Sequence, residues 1–217
     1  MVRVKICGLT SELDAARAAR AGAWAVGFIF YKKSPRFISP FKAKKIIETL
    51  PPFVTPVGVF VNHSPGAVRD IINHCALRVV QLHGDEDPDF CRWLRRSKVK
   101  IIKVFRVGEK FDPKTVEDFK VDAFLFDTDD KQSFGGTGKT FDWKVIEQVK
   151  SSNDTPIILS GGLNAQNVIE AVNTLKPYAV DANSGVETSP GIKDAKKMKE
   201  FIDIVDYISG TKVKESR

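Results

Sequence analysis

The 217-residue chain is 42% apolar and 28% charged, and its 34 lysines and arginines exceed the 27 acidic residues by seven. Its apolar stretches, such as residues 23–31, are far shorter than the about 20 residues a membrane helix needs, and residues 1–5 read as a strand, so a cytoplasmic protein without membrane contact is expected. The positive charge is spread along helix-like stretches with no base-reading motif, which favours a site for a small anionic molecule over nucleic-acid binding.

Strand-like apolar runs fall at residues 2–6, 24–30, 57–61, 79–82, 101–105, 123–126, 157–159 and 178–180. Amphipathic, helix-like stretches alternate with them at 11–21, 40–50, 65–75, 87–97, 143–150, 165–175 and 194–208, and a shorter, weaker helical pattern lies at 112–119. Thr10 or Ser11 can cap the first helix and Gly22 can close it, while Asn164 can cap the helix after the Gly161-Gly162 pair. Eight strands alternating with eight helices, without a Pro/Ser-rich linker, predict a single (β/α)8 TIM barrel over residues 1–209 and a frayed polar tail at 210–217. An open doubly wound sheet would usually stop at five or six strands.

In such a barrel the chemistry collects where strands end and βα loops begin. Strand parity sharpens the choice: Val2, Val4 and Ile6 share one face, so Lys5 and Cys7 on the other should enter the barrel mouth. Gln81 and His83 share a face by the same count, and Asp127 and Asp181 end strands six and eight. The turns Ser160-Gly161-Gly162 and Asn183-Ser184-Gly185 follow strands seven and eight, where backbone N–H groups freed by glycine can approach a phosphate.

Three cysteines, Cys7, Cys75 and Cys91, fit a reducing compartment, and no His/Cys/Asp/Glu spacing points to a metal; no cofactor is expected. Cys75 and Cys91 read as helix packing, and His63 and His74 as surface residues. Cys7 admits two readings, a buried structural thiol or one half of an acid–base pair with Asp127, and His83 is as readily structural as catalytic. The run Gly135-Gly136-Thr137-Gly138-Lys139-Thr140 resembles a nucleotide P-loop, yet Ser133 stands where that pattern requires glycine. It reads as a glycine-rich loop over the site, with Lys139 near the ligand or in solvent.

Seven stretches, in order along nearly the whole chain, resemble the phosphoribosylanthranilate isomerases of tryptophan biosynthesis. They are Val4 to Thr10, Gly27 to Phe30 with Ser34-Pro35-Arg36, Val57 to Asn62, Val80 to Gly84, Gly135 to Trp143, Leu159 to Leu163 and Asp181 to Glu187. The resemblance implies an Amadori rearrangement of N-(5-phosphoribosyl)anthranilate to 1-(2-carboxyphenylamino)-1-deoxyribulose 5-phosphate. It also implies Asp127 as general acid at the ribose ring oxygen, Cys7 as general base at C2, and Arg36 on the anthranilate carboxylate. Lys5, Gln81, His83 and Asp181 would contact the rest of the substrate, and Gly161, Gly162, Asn183, Ser184 and Gly185 its phosphate. Lys5 is the candidate for drawing Cys7 toward its thiolate. Asn183 departs from the serine of some relatives. The sister isomerase of histidine biosynthesis is expected to carry a carboxylate at the first-strand position, which Cys7 argues against. Such barrels sometimes pair as homodimers, and the sequence does not mark the face.

Overall fold

The computed structural model describes residues 1–108, 111–128 and 143–210. The glycine-rich run with Lys139, and residues 211–217 of the expected tail, lie outside the described residues. Eight parallel strands close into a barrel in chain order. They are β1 (Arg3–Ile6), β2 (Ala25–Ile29), β3 (Thr55–Phe60), β4 (Val79–Leu82), β5 (Lys100–Val107), β6 (Ala123–Thr128), β7 (Ile157–Leu159) and β8 (Ala179–Ala182). The helices are α1 (Glu12–Ala21), α2 (Pro40–Glu48), α3 (Pro65–Cys75), α4 (Pro88–Leu94), α5 (Trp143–Ser152), α6 (Val168–Leu175) and α7 (Ala195–Ile208).

The local signals that start and stop the helices act as expected in most cases. Ser11 accepts the Asp14 N–H ahead of α1, and Gly22, at φ 108°, ends it by donating to the carbonyls of Ala18 and Ala19. Asn164 is an exception. Its Oδ1 accepts from the N–H groups of Gln166 and Asn167, closing a turn, and α6 begins only at Val168.

A second departure lies between β5 and β6. The pattern at 112–119 forms only a 3₁₀ turn, Pro113–Val116, instead of an eighth helix. Its short, mostly polar stretch buries only Val116 of that turn. Aromatic rings cover the strands in its place: Phe111 and Phe119 pack on Phe105 with centroids 6.2 and 5.2 Å away, and Phe105 meets Phe124 at 5.5 Å.

Parity decides which side chains enter the barrel. Val57, Ile102, Val104, Ala123, Leu125, Ile158 and Ala179 fill its lower interior as one apolar cluster. A separate, larger apolar layer joins the outward-facing strand residues to the helices. Toward the C-terminal ends of the strands the interior turns polar, with Lys5, Gln81 and Asp181 all buried. An element absent from the sequence reading follows β8: an antiparallel hairpin of β9 (Glu187–Ser189) and β10 (Ile192–Lys193).

Candidate active site

A cleft of about 140 Å³ opens at the C-terminal end of the barrel, lined by Cys7, Gln81, His83, Asp127, Asp181 and the loops after β7 and β8. Parity brings Cys7 into it as expected. The β2 residue beside it is Gly27, where a Cβ would stand 2.7 Å from Cys7 Sγ, so glycine leaves the thiol its room.

Lys5 lies below the thiol, and its Nζ donates to Asp181 Oδ2 at 2.7 Å with both side chains buried. Burial works against the Lys5 charge, but Asp181 and Cys7 more than offset it, so the ammonium is held above its ordinary range. For Cys7 the balance differs from the sequence expectation. Burial pushes the thiol up and Asp181 adds to this, while Lys5 and Lys193 pull it down without winning. Lys5 is therefore shared between Cys7 and Asp181, and its pull does not outweigh burial. The Asp181 carboxyl is itself pushed up, first by burial and then by Asp127, against the pull of Lys5 and His83.

Across the mouth, Gln81 Nε2 lies 3.0 Å from His83 Nδ1, and His83 Nε2 lies 3.3 Å from Asp127 Oδ2. With Gln81 donating to Nδ1, a neutral His83 carries its proton on Nε2, the nitrogen nearest Asp127. Two buried acceptors of the site, Gln81 Oε1 and Asp181 Oδ1, have no hydrogen-bond partner among the described residues. Both belong to residues lining the cleft, where ligand hydroxyl groups can satisfy them. Glu86 secures the end of β4: it accepts from the N–H groups of Asn62 and Gly84 and from Lys103.

Ser160, Gly161, Gly162, Asn183 and Ser184 line one wall of the cleft. Gly161 and Gly162 have φ of 88° and 68°, a backbone that only glycine adopts readily. Gly185 is not among the residues that line the cleft. A Cβ there would collide with the Leu163 carbonyl oxygen, so this glycine lets the loops after β7 and β8 touch and lies behind the wall. Asn183 also lines the cleft, and its Oδ1 accepts from Lys193 Nζ at 2.9 Å.

Arg36 is placed by its loop beside Gly8, but it is not an isolated anion receptor. Its Nε and Nη2 donate to the Glu187 carboxylate, the latter at 2.7 Å. Glu187 also accepts from Lys193 Nζ at 2.8 Å. Burial would raise the Glu187 carboxyl, yet the hydrogen bonds from Arg36 and Lys193 hold it below its ordinary value. Two cations share one anion, so the group keeps a net positive charge. In the sequence Glu187 falls within a motif without an assigned role, and Lys193 carries no local signal. The Pro190-Gly191 turn between them was the signal that the hairpin folds back.

The remaining candidates stay outside the cleft. His74 is exposed, whereas His63 is half-buried with its ring edge-on to Phe60 at 5.5 Å, a packing partner more than a surface residue. Cys75 and Cys91 are buried in α3 and α4. Among the described residues, no three His, Cys, Asp or Glu side chains converge as a metal site, and no helix is long and apolar enough to cross a membrane.

Residues 4–204 match the profile of the family described as N-(5'-phosphoribosyl)anthranilate (PRA) isomerase. The N-(5'-phosphoribosyl)anthranilate isomerase of Geobacter sulfurreducens is 48% identical over 202 residues, which cover 93% of this chain and 97% of that one. The fold also superposes on a crystal structure of phosphoribosyl anthranilate isomerase in complex with reduced 1-(o-carboxyphenylamino)-1-deoxyribulose 5-phosphate. That match has a TM-score of 0.81 and 40% identity over 97% of this chain and all of the other. A crystal structure of mutually generated monomers of the dimeric phosphoribosylanthranilate isomerase from Thermotoga maritima gives 0.80 and 38%, again over 97% and 100%. The cleft with its thiol, carboxylates and glycine-lined wall thus sits on a chain that belongs to the N-(5'-phosphoribosyl)anthranilate isomerase family.

Proposed function

We propose that this chain carries out its family's isomerisation, a step of tryptophan biosynthesis, with Cys7 as general base and Asp127 as general acid. The observation that carries the reading is that both groups line one cleft, next to a wall of left-handed glycines. Asp127 gives a proton to the ribose ring oxygen as the bond from that oxygen to C1 breaks, leaving an iminium ion at C1. The Cys7 thiolate then removes the C2 proton, giving an enolamine that tautomerises to the C2 ketone.

The raised thiol is compatible with this role. A thiolate that forms less readily is the stronger base, and its product of population and basicity falls only slowly. The C2 proton is acidified by the adjacent iminium, so a modest thiolate population suffices. Arg36, with Lys193 balancing Glu187, offers net positive charge to the anthranilate carboxylate. Gln81 Oε1 and Asp181 Oδ1 accept ribose hydroxyls, and the wall of Gly161, Gly162 and Ser184 receives the phosphate. Turnover of synthetic phosphoribosylanthranilate, followed by its loss of fluorescence, tests the reading; no turnover by the folded chain defeats it.

The three unpaired, buried thiols fit a cytoplasmic setting. A homodimer is part of the same proposal. Phe53 is 91% exposed, and Trp24 and Tyr178 are also exposed at the N-terminal end of the barrel, away from the cleft. Sedimentation velocity distinguishes a pair from a single chain.

A further inference from the structure

Lys193 lies completely buried, yet it is a lysine. Its Nζ donates to the Asn183 carbonyl at 3.0 Å, to Asn183 Oδ1 at 2.9 Å and to Glu187 Oε1 at 2.8 Å. An apolar side chain would fill this place without the desolvation cost of an ammonium. Its one carboxylate partner is shared with Arg36, so the pairing does not cancel the charge.

The position of that charge relative to Cys7 follows from the backbone. The Cys7 N–H donates to the Ala182 carbonyl at 2.8 Å, and Asn183 is the next residue along. Asn183 Oδ1 in turn lies 2.7 Å from where a Cβ on Gly8 would stand, and Arg36 Cδ lies 2.8 Å from the same point. Lys193 therefore grips both oxygens of the residue that lies against Cys7 and Gly8. The other charged groups around the thiol, including Lys5, which also bonds it, stand in pairs. Lys5 on β1 is bound to Asp181 on β8, Arg36 from the β2 loop is bound to Glu187, and His83 and Asp127 pair across the mouth. Gly27 on β2 brings no charge.

We infer that Lys193 is a positioning residue for the Cys7 thiolate: a buried cation behind the β8 loop that fixes Asn183 and stabilises the ionised sulfur. Its meaning for catalysis rests on the proposed base role of Cys7, but its effect on the thiol does not. The local electrostatics run the same way. Burial lowers the Lys193 ammonium, while Glu187 and then Cys7 raise it, and Lys193 in return favours the charged form of Cys7.

The experiment is alkylation of the folded, ligand-free protein by iodoacetamide over a pH series, with the Cys7 peptide quantified by mass spectrometry. Lys193→Gln keeps a donor for Asn183 and Glu187 but removes the charge. It should raise the midpoint for Cys7 alkylation by about one pH unit, the size expected for loss of one nearby charge. Lys193→Arg keeps the charge and should stay close to the unmodified protein, and the profiles of Cys75 and Cys91 should not move. Glu187→Gln supplies an effect of opposite sign, since it removes the anion that offsets Lys193 and should lower the Cys7 midpoint. An unchanged midpoint in Lys193→Gln overturns the inference; if that variant does not fold, an unchanged or raised midpoint in Glu187→Gln does so. Normal turnover by Cys7→Ser would instead remove the base role and leave the alkylation result intact.

Discussion

The two sides of the barrel mouth are built on different principles. On the side of β8, β1 and β2, Cys7 is 4% exposed and stands within a web of buried charges: Lys5 with Asp181, and Arg36 and Lys193 with Glu187. On the side of β4 to β6, the His83 and Asp127 side chains are 26% and 23% exposed and are joined by a single contact. The difference follows from what each group does with a proton. Burial disfavours the thiolate, so its formation depends on a few fixed charges acting on it at short range. A carboxylic acid that must be reprotonated after each turnover benefits from solvent access, and water screens its neighbours.

The strongest test of this contrast is Cys7→Ser. The hydroxyl cannot ionise near neutral pH, so kcat should fall by about 10²–10⁴ with melting temperature and product binding near normal. In the unmodified enzyme kcat/KM should keep rising into alkaline pH, because burial and Asp181 hold the thiol above its ordinary 9.0. A profile that levels off well below that value would mean that the buried side does not set the limb.

Asp127→Asn breaks the open side. The amide has nearly the same shape but no acidic proton, and a loss of about 10²–10⁴ in kcat is expected while product still binds. Retention of half the rate would remove the acid assignment.

Arg36→Ala probes the junction of binding and the charge web, with a smaller expected effect of about 1.5–3 kcal/mol, read as a higher KM and weaker product affinity. If both stay unchanged, Arg36 only anchors the hairpin through Glu187.

The smallest effect concerns stability in acid. The Glu187 carboxyl is held below its usual 4.5 when folded, by the Arg36 and Lys193 hydrogen bonds outweighing burial. Its contribution is thus complete above pH 4.5 and lost as pH falls through the lower folded value. Glu187→Gln should melt lower than the unmodified protein near pH 7, and the two melting curves should converge in acid. A gap that persists unchanged at low pH would show that packing, and not charge, holds the hairpin.

How much of this was legible in the sequence depends on the range of the interactions. Period-two alternation along β1 and β4 put Lys5, Cys7, Gln81 and His83 on the inner face, and the barrel rule put Asp127 and Asp181 at its mouth. The Gly161-Gly162 turn was equally visible, because left-handed backbone is a local demand. Where local signals were weak they misled: the stretch at 112–119 formed a 3₁₀ turn, and Asn164 closed a turn before its helix.

Tertiary structure decided the pairings. Arg36 and Glu187 are 151 positions apart and Lys5 and Asp181 are 176 apart, so nothing local marks either as a couple. The direction of the Cys7 shift is tertiary too, since burial at the barrel mouth raises the thiol first and Asp181 adds to it, against the pull of the lysine two residues away. The hairpin that carries Lys193 was hidden for the same reason. Two and three residues are too few for a periodic signal, and the energy that fixes them lies in contacts with Asn183, Arg36 and Asp14 from other parts of the chain. Sequence alone determined the barrel and the chemical groups at its mouth, because alternation and turns are short-range; barrel closure decided which charges meet, because electrostatic partners are chosen by distance in space.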